Sequence, residues 1–456
     1  MCIFQKLYYS NIQMFNSAKF KFLGNKIIIF TVSAFILSFF FEQYFKFELG
    51  FFRFSVVEVI FVLIVFLSLL IYKLDFIRFI FKFDRKNIFE IIIYTILLLK
   101  LIKYSINFQN YYNLYELCIW IYMTGIYLTF KFYLNNNIKL IYYIENSFIA
   151  LSLILSLHII YSYLIYKLGY ESNILWEIRD ETYYPYIGKS NINFRSLLDT
   201  YSQAAQLVVP GFLFLFSRFK SKLTLVLLII FYCLVLYLIK SKFLIIFFSI
   251  LGIFLIIRNL NLEQMKLIKF LFLFGIIATC VFYFILTHFI IIEKDILNTS
   301  NFDLFKKYYF SDFTIHLNNY DIYGSLFLKL KYTATEIAKN YNFIFFDNLN
   351  YYNHKIVFDN FGYYEDPHSD YFGALANYGI LGFIIYLSLP IYLILEYLKN
   401  FNHKKSYEST FVYFLLIMMI FIESMVVDFF HTQFIWIIFA MYICCINIKK
   451  DNKKST

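Results

Sequence analysis

The residue in this chain best placed to do chemistry is a histidine at the mouth of an apolar run. His368 stands in Pro367-His368-Ser369-Asp370, just before a stretch, 372–396, apolar enough to be a membrane helix. Ser369 or Asp370 can cap that helix. His368 is then left outside it, where a neutral imidazole can take a proton from an attacking group as a general base. The same placement also suits an interfacial histidine that only anchors the helix end. Nine residues separate Ser369 from Gly379, and two more separate Gly379 from Gly382. Gly373, Ala376, Gly379 and Gly382 recur every third residue, a small-residue stripe that lets a neighbouring helix approach closely and so fixes where His368 points.

Cations come next. Arg195, in Asn193-Phe194-Arg195-Ser196, immediately precedes the apolar run 201–217, and Arg179 lies in the loop before it. A guanidinium at a membrane interface suits bidentate binding of a diphosphate; a snorkelling side chain is the other reading of each. Lys329 and Lys331 fall in 325–341, where Leu326, Leu330, Ala334, Ile337 and Ala338 follow helical spacing. They offer charge without the planar fork, or else line the wet face of a surface helix. Lys240 and Lys242 are further phosphate contacts to consider. His354, Asp366, His368 and Asp370 match no zinc or magnesium ligand spacing, so a site without metal or cofactor is expected. Glu423, Asp428 and His431, near the outer end of the run 409–428, form another polar group, a functional candidate by its place in a span or else a set that only pairs with itself.

The elements that must position these groups are set by composition. Hydrophobic residues make up 61% of the chain and aromatic residues 23%, in repeated apolar runs of about 18 or more residues, so the chain belongs in a bilayer. About twelve spans are expected, over 27–45, 54–72, 87–103, 113–130, 147–166, 201–217, 223–239, 243–257, 267–292, 372–396, 409–428 and 429–447. Two are marginal: 87–103 carries Lys100 and 243–257 is short.

Lys and Arg crowd the alternate short connections, for example Lys73, Arg78, Lys82, Arg85 and Lys86, which places those loops and both termini in the cytoplasm. The net charge of +11 is accounted for by that bias, and no nucleic-acid partner is called for. Cys2, Cys118, Cys233, Cys280, Cys444 and Cys445 all fall in expected spans or at the cytoplasmic N-terminus, where no disulfide forms. The basic residues 1–25 and the long first apolar run read as a retained span rather than a cleaved signal peptide.

The resulting organisation is 1–168, N-terminal membrane helices; 169–200, a first long outer loop; 201–292, central membrane helices; 293–371, a large outer loop; and 372–456, C-terminal membrane helices and tail. Loops of such length are usually functional, and 325–341 reads as an amphipathic helix on the outer membrane face. No inverted pair of Gly- or Pro-broken spans is present, which weighs against a secondary transporter.

The His368-Ser369, Gly379, Gly382 spacing, the large loop before it and Arg195 before a span resemble the bacterial O-antigen ligase and O-antigen polymerase superfamily. The resemblance covers about residues 140–445. It implies an all-α, polytopic, GT-C-like glycosyltransferase of the inner membrane with a long periplasmic loop before its tenth span. Such an enzyme takes a glycan from undecaprenyl diphosphate and passes it to an acceptor glycan, either a lipid-linked repeat or lipid A core, with a chain-length regulator as a candidate partner. It further implies that His368 activates the acceptor hydroxyl and that Arg195 holds the diphosphate. A second cation drawn from Lys331, Lys329 and Arg179 would assist. The superfamily usually carries an arginine where this chain has Lys329 and Lys331, a departure that puts the role of that position in question. A lipid-linked glycan flippase is the alternative from another class.

Overall fold

A computed structural model describes residues 24, 26–42, 45–49, 52–82, 87–106, 111–172, 175–179, 191–194, 196, 198, 201–219, 221–239, 265–293, 310–341, 357–359, 367–400, 407–425 and 430–454. These residues are mostly helical: α1 (Lys26–Phe41), α2 (Val56–Tyr72), α3 (Leu74–Phe81), α4 (Ile88–Ile106), α5 (Tyr111–Asn136), α6 (Leu140–Lys167), α7 (Tyr201–Arg218), α8 (Lys222–Ile239), α9 (Met265–His288), α10 (Leu326–Tyr341), α11 (Asp370–Asn400), α12 (Tyr407–Glu423) and α13 (Gln433–Lys454). Short strands add two-stranded sheets, β1 (Lys46–Leu49) with β2 (Phe52–Ser55) and β3 (Trp176–Arg179) with β4 (Asn191–Phe194). A third sheet has the order β5 (Phe289–Glu293), β7 (Tyr320–Gly324), β6 (Thr314–His316).

Each expected span that falls on described residues has a helix over it; 243–257 lies outside them. Length and hydropathy are more selective than the sequence count of about twelve. Asn113–Asn136, Leu140–Lys167 and Asp370–Lys399 are long and apolar enough to cross a membrane. The pair Val56–Tyr72 and Leu74–Phe81, bent by 118°, makes a fourth if it is one broken span. Lys26–Phe41, Leu223–Ile239, Phe411–Glu423 and Gln433–Asn447 are shorter, and α4 is interrupted by Glu90, Lys100 and Lys103. The expected span 267–292 is corrected at its end: helix stops at His288, and Phe289–Glu293 is a strand paired to β7. Its Phe-Ile-Ile-Ile run, one aromatic and three β-branched residues, suits a pleated surface better than another helical turn.

Contacts divide the chain into two compact units. In the first (1–83, 128–177 and 194–239), α2 begins on a capping box in which Ser55 accepts from the Val57 amide and Glu58 accepts from the Ser55 amide. Its helices α6 and α7 pack at backbone distance. A Cβ on Gly211 would stand 2.3 Å from the Phe148 carbonyl oxygen, and the Ser152 hydroxyl donates to the Val208 carbonyl at 2.7 Å.

The second unit (84–127, 178–193 and 240–456) holds α9 to α13, α4 and the first part of α5. Its core is aromatic: Trp120 packs edge-on against Trp436 and Tyr386, and Phe89 against Phe439. The apolar stripe of α10 is buried as its spacing predicts. Leu330, Ala334 and Ile337 cluster with Val357 and with Ala376 of α11, and Leu326 and Phe372 pack beside them. This amphipathic face therefore packs on α11.

Candidate functional site

Ser369 is the cap of α11. Its hydroxyl accepts from the Phe372 amide at 3.5 Å, and its carbonyl accepts the first helical bond, from Gly373, at 2.7 Å. The same hydroxyl donates to the Ser424 carbonyl at 2.9 Å, just past the end of α12. Asp370, the other expected cap, is used differently: its carboxylate accepts the Phe430 amide at 3.0 Å. Both residues are buried, so the helix mouth is tied to two separate segments directly after His368.

His368 itself is part-exposed and has φ +46°. A non-glycine residue in the left-handed region costs about 1 kcal/mol or more and persists only where its surroundings impose it. Here the constraint comes from α10. Lys331, only 4% exposed, donates from its ammonium to the Pro367 carbonyl at 2.8 Å and to the His368 carbonyl at 3.1 Å. The ammonium also lies 5.7 Å from the Phe327 ring and 5.9 Å from the Phe372 ring. Phe327 in turn meets the imidazole edge-on, with centroids 6.4 Å apart. The imidazole is thus presented at a helix mouth whose backbone is held from three sides.

The sequence-derived candidates separate on this geometry. Lys331 is buried beneath the histidine turn, whereas Lys329 is part-exposed, so the wet-face reading does not apply to Lys331. The Arg179 backbone closes β3. Arg195, Lys240, Lys242, His354, Asp366 and Asp428 lie outside the described residues. Among the described residues no group of three or more His, Cys, Asp or Glu could hold a metal ion.

Gly379 and Gly382 act otherwise than as a continuous packing stripe. Gly379 has φ 68° and ψ −164° and breaks α11 into two helical pieces, a conformation essentially confined to glycine. Beyond that break, a Cβ on Gly382 would meet Tyr378 Cβ at 2.3 Å and the Ala374 carbonyl oxygen at 3.0 Å. Gly382 therefore lets the two pieces of α11 close on each other. Gly373 has nothing within 4 Å of the Cβ it lacks.

A charged cluster that the sequence reading missed lies along α4, α5 and α11. Lys100 pairs with Glu116 at 2.6 Å, both side chains nearly buried, and His431 Nε2 stands 3.7 Å from the same carboxylate. Lys103 donates to the Asn377 side-chain oxygen, and Asn377 donates to the Gly373 carbonyl at 2.9 Å. The two ammoniums lie 5.8 Å and 5.1 Å from the Tyr378 ring. The signal was present: Lys100 and Lys103 are three apart, on one face of a helix, and buried charges in apolar helices are functional candidates. Of Glu423, Asp428 and His431, a candidate functional group or a set that only pairs with itself, His431 stands beside Glu116 and Glu423 accepts from the Tyr283 hydroxyl at 2.9 Å.

Comparison of the chain with protein-family models, with curated proteins and with solved structures finds no match.

Proposed function

We propose that this chain is a polytopic, GT-C-like glycosyltransferase of the bacterial inner membrane with about twelve spans. In this reading it moves a glycan from undecaprenyl diphosphate to an acceptor sugar hydroxyl at the periplasmic face. His368 takes the proton of the acceptor hydroxyl as that oxygen attacks the anomeric carbon, and the diphosphate leaves with the lipid. Arg195 neutralises the leaving diphosphate, with Arg179 or Lys329 as a second cation, and the sugar inverts in one displacement. Lys331 acts through His368 by fixing its backbone.

The single observation that carries the reading is the turn at His368, where a strained histidine is held at a helix mouth by a buried ammonium. Strain of this kind clusters at sites of function, and an anchoring histidine has no need of it. The experiment is complementation of a deletion strain with the His368→Ala variant, followed by gel profiling of surface glycan. Loss of long glycan with normal protein accumulation is expected. Single capped repeats would assign a polymerase, and naked core a ligase. Near-full glycan would overturn the assignment.

A second reading, a flippase for lipid-linked glycans, draws on the buried Lys100, Lys103, Glu116 and His431 cluster, since transport paths through membranes are lined by such groups. It predicts that purified protein in vesicles translocates the lipid-linked glycan without forming any new glycosidic bond.

A further inference from the structure

We infer that the outward face of the β5-β7-β6 sheet is a membrane-contacting surface that rests in the headgroup zone of the bilayer. The inference needs only the membrane setting and stands or falls apart from the transfer chemistry. Register fixes the two faces: Ile291, Ile322 and Ile315 lie directly opposite one another across the three strands, and so do Ile292, Asp321 and His316. Alternation along each strand therefore puts Ile291 and Ile315 on one side, with Ile292 and Asp321 on the other.

Burial separates the sides on β5 and β7, while on the edge strand β6 both Ile315 and His316 are exposed. Ile292 is 2% exposed, and Asp321 and Tyr323 are buried with it, while Ile291 is 68% and Ile315 43% exposed. Phe313 joins the exposed side, its ring 5.5 Å from that of Phe289, and the hairpin tip adds exposed Leu317 and Tyr320. A soluble loop would not leave so much contiguous apolar surface facing water.

Lipid is the occupant because this surface continues a helix. β5 starts at the residue after α9 ends, with no intervening turn, and α9 itself exposes Phe282, Ile285 and Leu286. The apolar face of the helix thus runs onto the sheet. Among the described residues the sheet ends in two edge strands, β5 and β6, and outer backbone groups there are better met by hydrated headgroups than by hydrocarbon. An exposed tyrosine at the tip is the residue type that prefers that zone.

The test places the photoreactive residue p-benzoylphenylalanine at Ile315, and separately at His316 on the opposite face. The full-length protein is irradiated in native membranes, and adducts are identified by mass spectrometry. The expected result is a phospholipid adduct at position 315 at least several-fold above that at 316. A protein adduct at 315, or lipid labelling no stronger than at 316, overturns the inference. Ile291, also exposed, serves as a second labelling position if the variant at 315 fails to accumulate.

Discussion

The ammonium of Lys331 and the carbonyl oxygen of His368 are 3.1 Å apart, and this contact gives the two residues distinct roles. A lysine that spends its donors on two backbone carbonyls sets the histidine's place, and it is poorly disposed to hold a phosphate as well. Replacing it with methionine, Lys331→Met, keeps most of the volume and removes the donors. The Pro367 carbonyl, in a buried contact, and the His368 carbonyl, in a part-buried one, then lose their partner, at a cost of about 1–3 kcal/mol. The expected kinetic signature in glycan transfer is a kcat at least tenfold lower with KM for the lipid-linked donor nearly unchanged. A raised KM with normal kcat would make Lys331 a diphosphate ligand instead.

Gly379→Ala should lower the melting temperature of the detergent-solubilised protein, because φ 68° with ψ −164° costs an L-residue about 1–3 kcal/mol. Gly373→Ala is the matched control. It sits in regular helix with open space around it, so it should be neutral or stabilising by up to about 1 kcal/mol. Equal effects from the two changes would show that the break at Gly379 is dispensable.

Glu116→Gln should be strongly destabilising, by about 3–5 kcal/mol, since it leaves the Lys100 ammonium buried without its carboxylate. The double variant Glu116→Gln, Lys100→Met should recover much of that loss. Thermal unfolding of the single and double variants measures the coupling. Additive losses would mean that the pair is not a unit.

The fate of the sequence-based expectations follows from which forces are local. Apolar runs and caps are encoded within a few residues, so the helices, a cap at Ser369 or Asp370 and the buried stripe Leu330, Ala334 and Ile337 were legible. So was the helix that carries Lys329 and Lys331, though not which lysine turns inward, since that depends on where Pro367 and His368 fall after a long intervening loop. The pairing of Lys100 with Glu116 and of Lys103 with Asn377 joins three helices and has no local signature beyond lysines in an apolar run. The stripe from Gly373 to Gly382 read as regular packing because spacing alone cannot reveal a positive φ. The end of α9 was misplaced for a related reason: Phe289–Ile292 is as apolar as the helix before it, and only its pairing with β7 makes it a strand.

Arg195→Lys should impair transfer more than Arg179→Lys, at least tenfold against a few-fold. A bidentate clamp on diphosphate needs the planar fork that lysine lacks, and Arg195 immediately precedes an apolar helix. Initial rates with a lipid-diphosphate-linked donor are the measurement. Equal, mild effects would show that neither arginine is the clamp.

Whether His368 is the base is measured with purified protein, undecaprenyl-diphosphate-linked repeat units and an acceptor glycan, comparing wild type with His368→Ala. Removing a general base lowers the rate by a factor on the order of 100 to 10,000, and because His368 is part-exposed the variant should keep its yield and melting temperature. The expected result is that loss of rate in a well-folded protein. A His368→Ala protein that forms the new glycosidic bond at the wild-type rate would contradict it.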